Sequence, residues 1–195
     1  PRVLYASAAA KSGHAPAWVA AHYKANVEFL FILAMGLDGG YDEWLNTYLE
    51  KEDPLSDIVL ELACCGSDVR KTISVLHNFC VGQTVDEAVV CDKVRTYFRD
   101  AYYTNRMSKE EISYAMYRVT QNVSDLADMD IHIWGSMYYM VDFLSDAKDG
   151  TIFWESFDRV FFSYLDHGIP YDSDKVWNRQ KKVSILDYIK RILKG

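Results

Sequence analysis

Proline and glycine are scarce in this 195-residue chain, four and ten respectively. Together with the lack of strand-like alternation, this argues against a loop-rich or all-β fold. Long apolar runs are missing too. The most apolar stretch, Val27 to Leu37, is interrupted by Glu28 and reaches about half the length that spans a bilayer, so it reads as a buried core helix. The first residues, Pro1 to Tyr5 and an alanine-rich run, lack the apolar stretch of about 7–15 residues that marks a secretory signal. The expectation is a soluble, cytoplasmic protein that does not enter a membrane. There are four cysteines, Cys64, Cys65, Cys80 and Cys91, none at CxxC spacing. A vicinal pair is a poor start for a structural disulfide, and four free thiols in a reducing compartment is the expectation. The chain has no G-x-S-x-G elbow, H-E-x-x-H, phosphate loop or dinucleotide glycine fingerprint, and no repeated glutamate-x-x-histidine of di-iron bundles. No cofactor is expected and no reaction is named.

What is present is globular: half of the residues are hydrophobic and a quarter charged, with fourteen tyrosines, nine phenylalanines and five tryptophans. Most of these aromatics are expected in the core, because each buries a large area. The length suits one domain over 1–195, with 1–15 as an irregular leading segment. Helix signals recur along it. Pro16 to Gly36 predicts a long apolar helix, Tyr41 to Lys51 a short one. Asp53-Pro54 reads as an N-cap and first helical residue, opening a helix to about Cys65. Ser67 is the expected cap of the next, which ends near Val81-Gly82. Thr84 with Glu87, and Ser108 with Glu111, have the spacing of capping boxes for helices over about 84–104 and 108–123. Residues 131–144 are apolar nearly all round and predict a central helix. Phe153 to Tyr164 carries a helical stripe closed by Gly168 and Pro170, and a last helix starts near Asp172–Asp174. The fold class is therefore all-α, a single domain of eight or nine helices packed as antiparallel hairpins.

Each candidate for chemistry has a simpler reading beside it. His77 and Cys80 lie three apart on one helix, with Cys64 and Cys65 on the preceding one, a set that can hold zinc; buried cysteines beside a satisfied histidine is the preferred reading. Asp128, Asp130 and His132 can bind a divalent ion or move protons, yet either aspartate also suits an N-cap. Asp166-His167 are adjacent and do not pair readily on a helix. The basic stretch Lys175, Arg179, Lys181, Lys182, Lys190, Arg191 and Lys194 is set against a whole-chain charge of −7, so a solvated face or an intramolecular match to the acidic blocks is expected of it, and nucleic acid is not the expected partner.

The strongest pattern is charge segregation. Residues 37–68 hold nine acids and one base, Lys51; residues 121–166 hold nine acids against Lys148 and Arg159; the rest of the chain is net positive. Such blocks attract a basic partner and repel nucleic acid. In the first, Tyr41, Trp44 and Tyr48 recur at helical spacing among the acids. Aromatics that anchor the helix while acids form its wet face is one reading; anchors of an electrostatically steered interface is the other. The candidate partner-binding residues are Asp42, Glu43, Trp44, Tyr48, Glu50, Glu52, Asp53 and Asp57. The second patch is Asp125, Asp128, Asp130, Asp142 and Asp146.

The stretches DPLSDIVLELACCG (53–66), YYTNRMSKEEISYAMYRV (102–119) and WGSMYYMVDFLSDAKDG (134–150) give the chain a layout that resembles small, acidic, all-helical immunity proteins of bacterial polymorphic-toxin and contact-dependent inhibition systems. The resemblance implies that the protein binds and neutralises a cognate toxin domain, often a basic nuclease, and catalyses nothing. It places no functional residue on a numbered position. Two alternatives stand beside it: a helical enzyme with a carboxylate and histidine pocket, and a helical-hairpin adaptor that binds a peptide.

Overall fold

The computed structural model describes residues 17–52, 54–126 and 132–171, with side chains for 26–52, 54–126 and 134–171. Among the described residues there are eight α-helices and no strand: α1 Ala17–Ala34, α2 Tyr41–Lys51, α3 Asp57–Ala63, α4 Val69–Cys80, α5 Glu87–Tyr103, α6 Lys109–Asn122, α7 His132–Lys148 and α8 Trp154–His167. The expected leading segment 1–15 and the expected last helix from Asp172 lie outside the described residues, as does the basic stretch from Lys175 to Lys194. No described helix is long and apolar enough to cross a membrane.

The all-round apolar character of α1 has a direct outcome: from Phe29 to Met35 every residue is buried. The helix packs on α4, α5 and α6, so no side of that stretch is left to water. It ends where Gly36 turns left-handed, at φ 59. A Cβ there would come within 2.9 Å of the Asn122 amide nitrogen, which donates to the Ala34 carbonyl at 3.0 Å. Glycine is thus needed for both the turn and the close approach.

Helix α5 is the hub, touching α1, α6, α7 and α8 through buried Val90, Cys91, Val94, Phe98 and Ala101. The most extensive pairing is α6 with α7. It is antiparallel: Tyr117 meets Tyr138 with ring centroids 5.5 Å apart, while Lys148, at the far end of α7, lies over Tyr114. Trp134, Met137, Met140, Phe143, Leu144 and Ala147 make α7 a central helix on its inner side.

Three helix starts differ from the sequence expectation. Helix α3 begins at Asp57 with Ser56 as N-cap, not at Pro54; the Glu52 carboxylate accepts from Ser56 N (3.1 Å) and Oγ (2.8 Å) and ties Ser56 back to the end of α2. Asp53 itself lies outside the described residues. The cap of α4 is Asp68, whose carboxylate accepts from Lys71 N, one residue after Ser67. Helix α5 is capped by Asp86; the expected Thr84–Glu87 box is absent because Glu87 accepts a 2.7 Å hydrogen bond from Trp134 Nε1. The Ser108–Glu111 box forms in full, and Gly168 at φ 65 closes α8.

Candidate interaction surface

In the first acidic block the aromatics turn inward. Tyr41 is buried. Trp44 and Tyr48 are half-buried and pack around Phe29 of α1, at centroid distances of 4.9 Å, edge-on, and 5.9 Å. Period-3.6 spacing puts the acids on the outer side of α2: Asp42, Glu43 and Glu50 are exposed, and so is Asp57 at the start of α3. Glu52 is half-buried and serves the turn to Ser56. None of these acids forms an ion pair among the described residues. Asp42, Glu43 and Asp57 stand in the first turns of their helices, where the helix dipole favours a negative charge. A cleft of about 500 Å³ opens beside α2, with Asp38, Asp42 and Glu43 in its wall.

The second block divides into paired and unpaired acids. Asp125 meets His77 Nε2 at 2.7 Å, and this hydrogen bond holds its carboxyl below the usual range. Asp158 pairs with Lys109 at 2.5 Å, and Asp166 accepts from Tyr103 Oη at 3.0 Å. Asp142, Asp146 and Asp149 have no cationic partner among the described residues. Burial, then Asp142 and Asp149, push the Asp146 carboxyl up. Asp128 and Asp130 lie outside the described residues, so the expected Asp128–Asp130–His132 group and its capping reading do too.

The cysteine and histidine set does not assemble a site. Cys80 is buried, which pushes its thiol up to about 12, far from the thiolate that a metal or a nucleophilic reaction needs. Buried Cys65 donates to the Glu61 carbonyl at 3.3 Å, Cys64 is exposed, and His77 is engaged with Asp125. Among the described residues no three metal-ligating side chains gather, and all four cysteines are free thiols. A second cleft, of about 310 Å³, lies over buried Met35, Phe98 and Val119, with Asp38, Arg118 and Asn122 at its edge.

One surface escaped the sequence reading. Tyr139 and Tyr114 are 52 % and 47 % exposed, and the half-buried Tyr138 and Tyr117 lie between α7 and α6 next to them. The signal was there: Tyr138, Asp142 and Asp146 fall four apart, on one side of a helix, inside a segment whose apolar content suggested burial all round. No protein-family model, curated protein or solved structure matches this chain.

Proposed function

We propose that this protein is an acidic binding module that captures a basic protein, with the neutralisation of a cognate toxin domain as its purpose. The observation that carries the reading is the row of exposed carboxylates on α2, α3 and α7 with no cation of the described chain against them. Unneutralised surface charge of one sign steers an oppositely charged partner and speeds its encounter. An acid bound within the protein, such as Asp158 against Lys109, gives less to a partner because its charge is already compensated.

The test starts with affinity capture at physiological salt from the producing cells, with mass spectrometry of what stays bound. One basic protein held stoichiometrically is the expected result, and its activity is then assayed with and without this chain. Replacing Asp42, Glu43 and Glu50 together by lysine, with Glu52 left in place because it holds Ser56, and Asp142 with Asp146 in a second variant, maps the contact. At least one set slows association about tenfold or more at low salt while both variants stay folded. A partner whose association ignores both sets contradicts the reading.

A further inference from the structure

The two acidic blocks are not equivalent, and the difference assigns the contact. Resting on the function just proposed, we infer that the main docking surface is the tyrosine and aspartate face of the α6–α7 hairpin, and that its occupant is an arginine-bearing segment of the basic partner.

Asp142, Asp146 and Asp149 follow one another at spacings of four and three on the end of α7 and just beyond it, which makes them neighbours on one side. The C-terminal end of a helix carries about half a negative charge of its own, which adds to the crowding of carboxylates around Asp146 in the last turn. Burial raises the Asp146 carboxyl first, and the neighbouring charges of Asp142 and Asp149 raise it further. Lys148 does not relieve this crowding: its ammonium lies over the Tyr114 ring, 5.4 Å from the centroid. Most of the first block differs; Glu50, exposed in the last turn of α2, does not. Asp42, Glu43 and Asp57 occupy helix starts, Asp68 caps α4, and Glu52 holds Ser56. Those acids help the fold; the carboxylates at the end of α7 stand together without an ion-pair partner among the described residues, a site that suits a partner's cation.

Anchoring of the first block is inward, through Trp44 and Tyr48 on Phe29, whereas Tyr139 presents its ring to solvent and Tyr114, also exposed, already carries the Lys148 ammonium over its ring. Tyr139 is three residues before Asp142 and seven before Asp146, so ring and carboxylates share a side. Tyr138 bridges to Tyr117 across the hairpin at 5.5 Å and touches Tyr139 at 5.1 Å. A guanidinium suits this pairing better than an ammonium. It is planar, stacks on an aromatic face and presents a fork of N–H donors to a carboxylate at the same time. Exposed tyrosine beside acid is also the composition from which binding hot spots for arginine are built.

The experiment is an amide-resolved NMR titration of the full chain with an acetylated peptide of alternating arginine and alanine, beside its lysine and citrulline counterparts. Shifts should concentrate on residues 114–118 and 138–149. The arginine peptide should bind several-fold more tightly than the lysine peptide, and the neutral citrulline peptide should not bind. Tyr139→Ala, at an exposed position, should weaken binding about tenfold with unchanged thermal melting, and Asp142→Asn with Asp146→Asn should do the same. Shifts centred on residues 41–61, or wild-type affinity in both variants, would overturn the assignment; equal binding of the lysine peptide would overturn its guanidinium part. Once a natural partner is in hand, loss of association on reversing the α2 charges, with indifference to Tyr139→Ala, sinks this surface and leaves the functional reading standing. Peptide binding mapped to α6–α7 with no basic protein captured upholds the surface and removes that reading.

Discussion

Tyr164 is 1 % exposed, and its hydroxyl finds no hydrogen-bond partner among the described residues. Its burial pushes the phenol well above its ordinary value, so the group stays neutral, but a neutral hydroxyl still loses its water on folding. Removing such an orphan keeps the ring and drops the desolvation penalty, so Tyr164→Phe should stabilise the protein by about 1 kcal/mol in urea unfolding. A loss of similar size would mean that the hydroxyl is bonded. Glu111 carries the pH dependence at this scale. Hydrogen bonds from the Ser108 backbone and hydroxyl hold its carboxyl below the usual range. A depressed carboxyl gives stability that is present above its unfolded value and lost as pH falls through the folded one. The melting temperature should therefore drop more between about pH 6 and about pH 3 in the native chain than in Glu111→Gln. Equal drops would contradict the box as a source of stability.

At the scale of the helix, the caps decide where each element begins, and the two candidate caps of α5 give opposite predictions. Asp86→Ala removes the carboxylate that accepts from Ala88 N at 3.1 Å and should cost about 1 kcal/mol, whereas Thr84→Ala should stay within about 0.5 kcal/mol. The reverse order would restore the Thr84–Glu87 box. The same case shows what could be read from the chain. Local signals were enough for α2, found over Tyr41–Lys51 as expected, and for the Ser108 start of α6, because spacing and cap chemistry act within one turn. They failed at Glu87 because its hydrogen bond comes from Trp134, 47 residues away. They failed at Pro54, where Glu52 reaches forward to Ser56 and the helix begins at Asp57. The candidate site was legible to the same degree. Counting acids located the two blocks, but the groups that engage Asp125 and Asp158 lie 48 and 49 residues away in sequence, so only the fold separates engaged acids from free-standing ones. Likewise, helical spacing placed Trp44 and Tyr48 on one stripe without saying which side would face Phe29.

Across the molecule, the described helices share one hydrophobic cluster, and the ion pairs of the described residues, such as Lys93 with Glu28 between α5 and α1, do not include the carboxylates of α2, α3 and the end of α7. A net charge of −7 spread evenly would aid solubility and little else; gathered into two blocks, it makes a directional field. Such a field acts on encounter more than on the lifetime of a complex. The most direct measurement is the association rate of the captured partner as salt rises from about 20 to about 300 mM, where the screening length falls several-fold. The account predicts a rate that drops about tenfold or more across that range, and a much flatter dependence once the unpaired acids are replaced by their amides. A rate that does not change with salt, or one that the amide replacements leave equally steep, would contradict it.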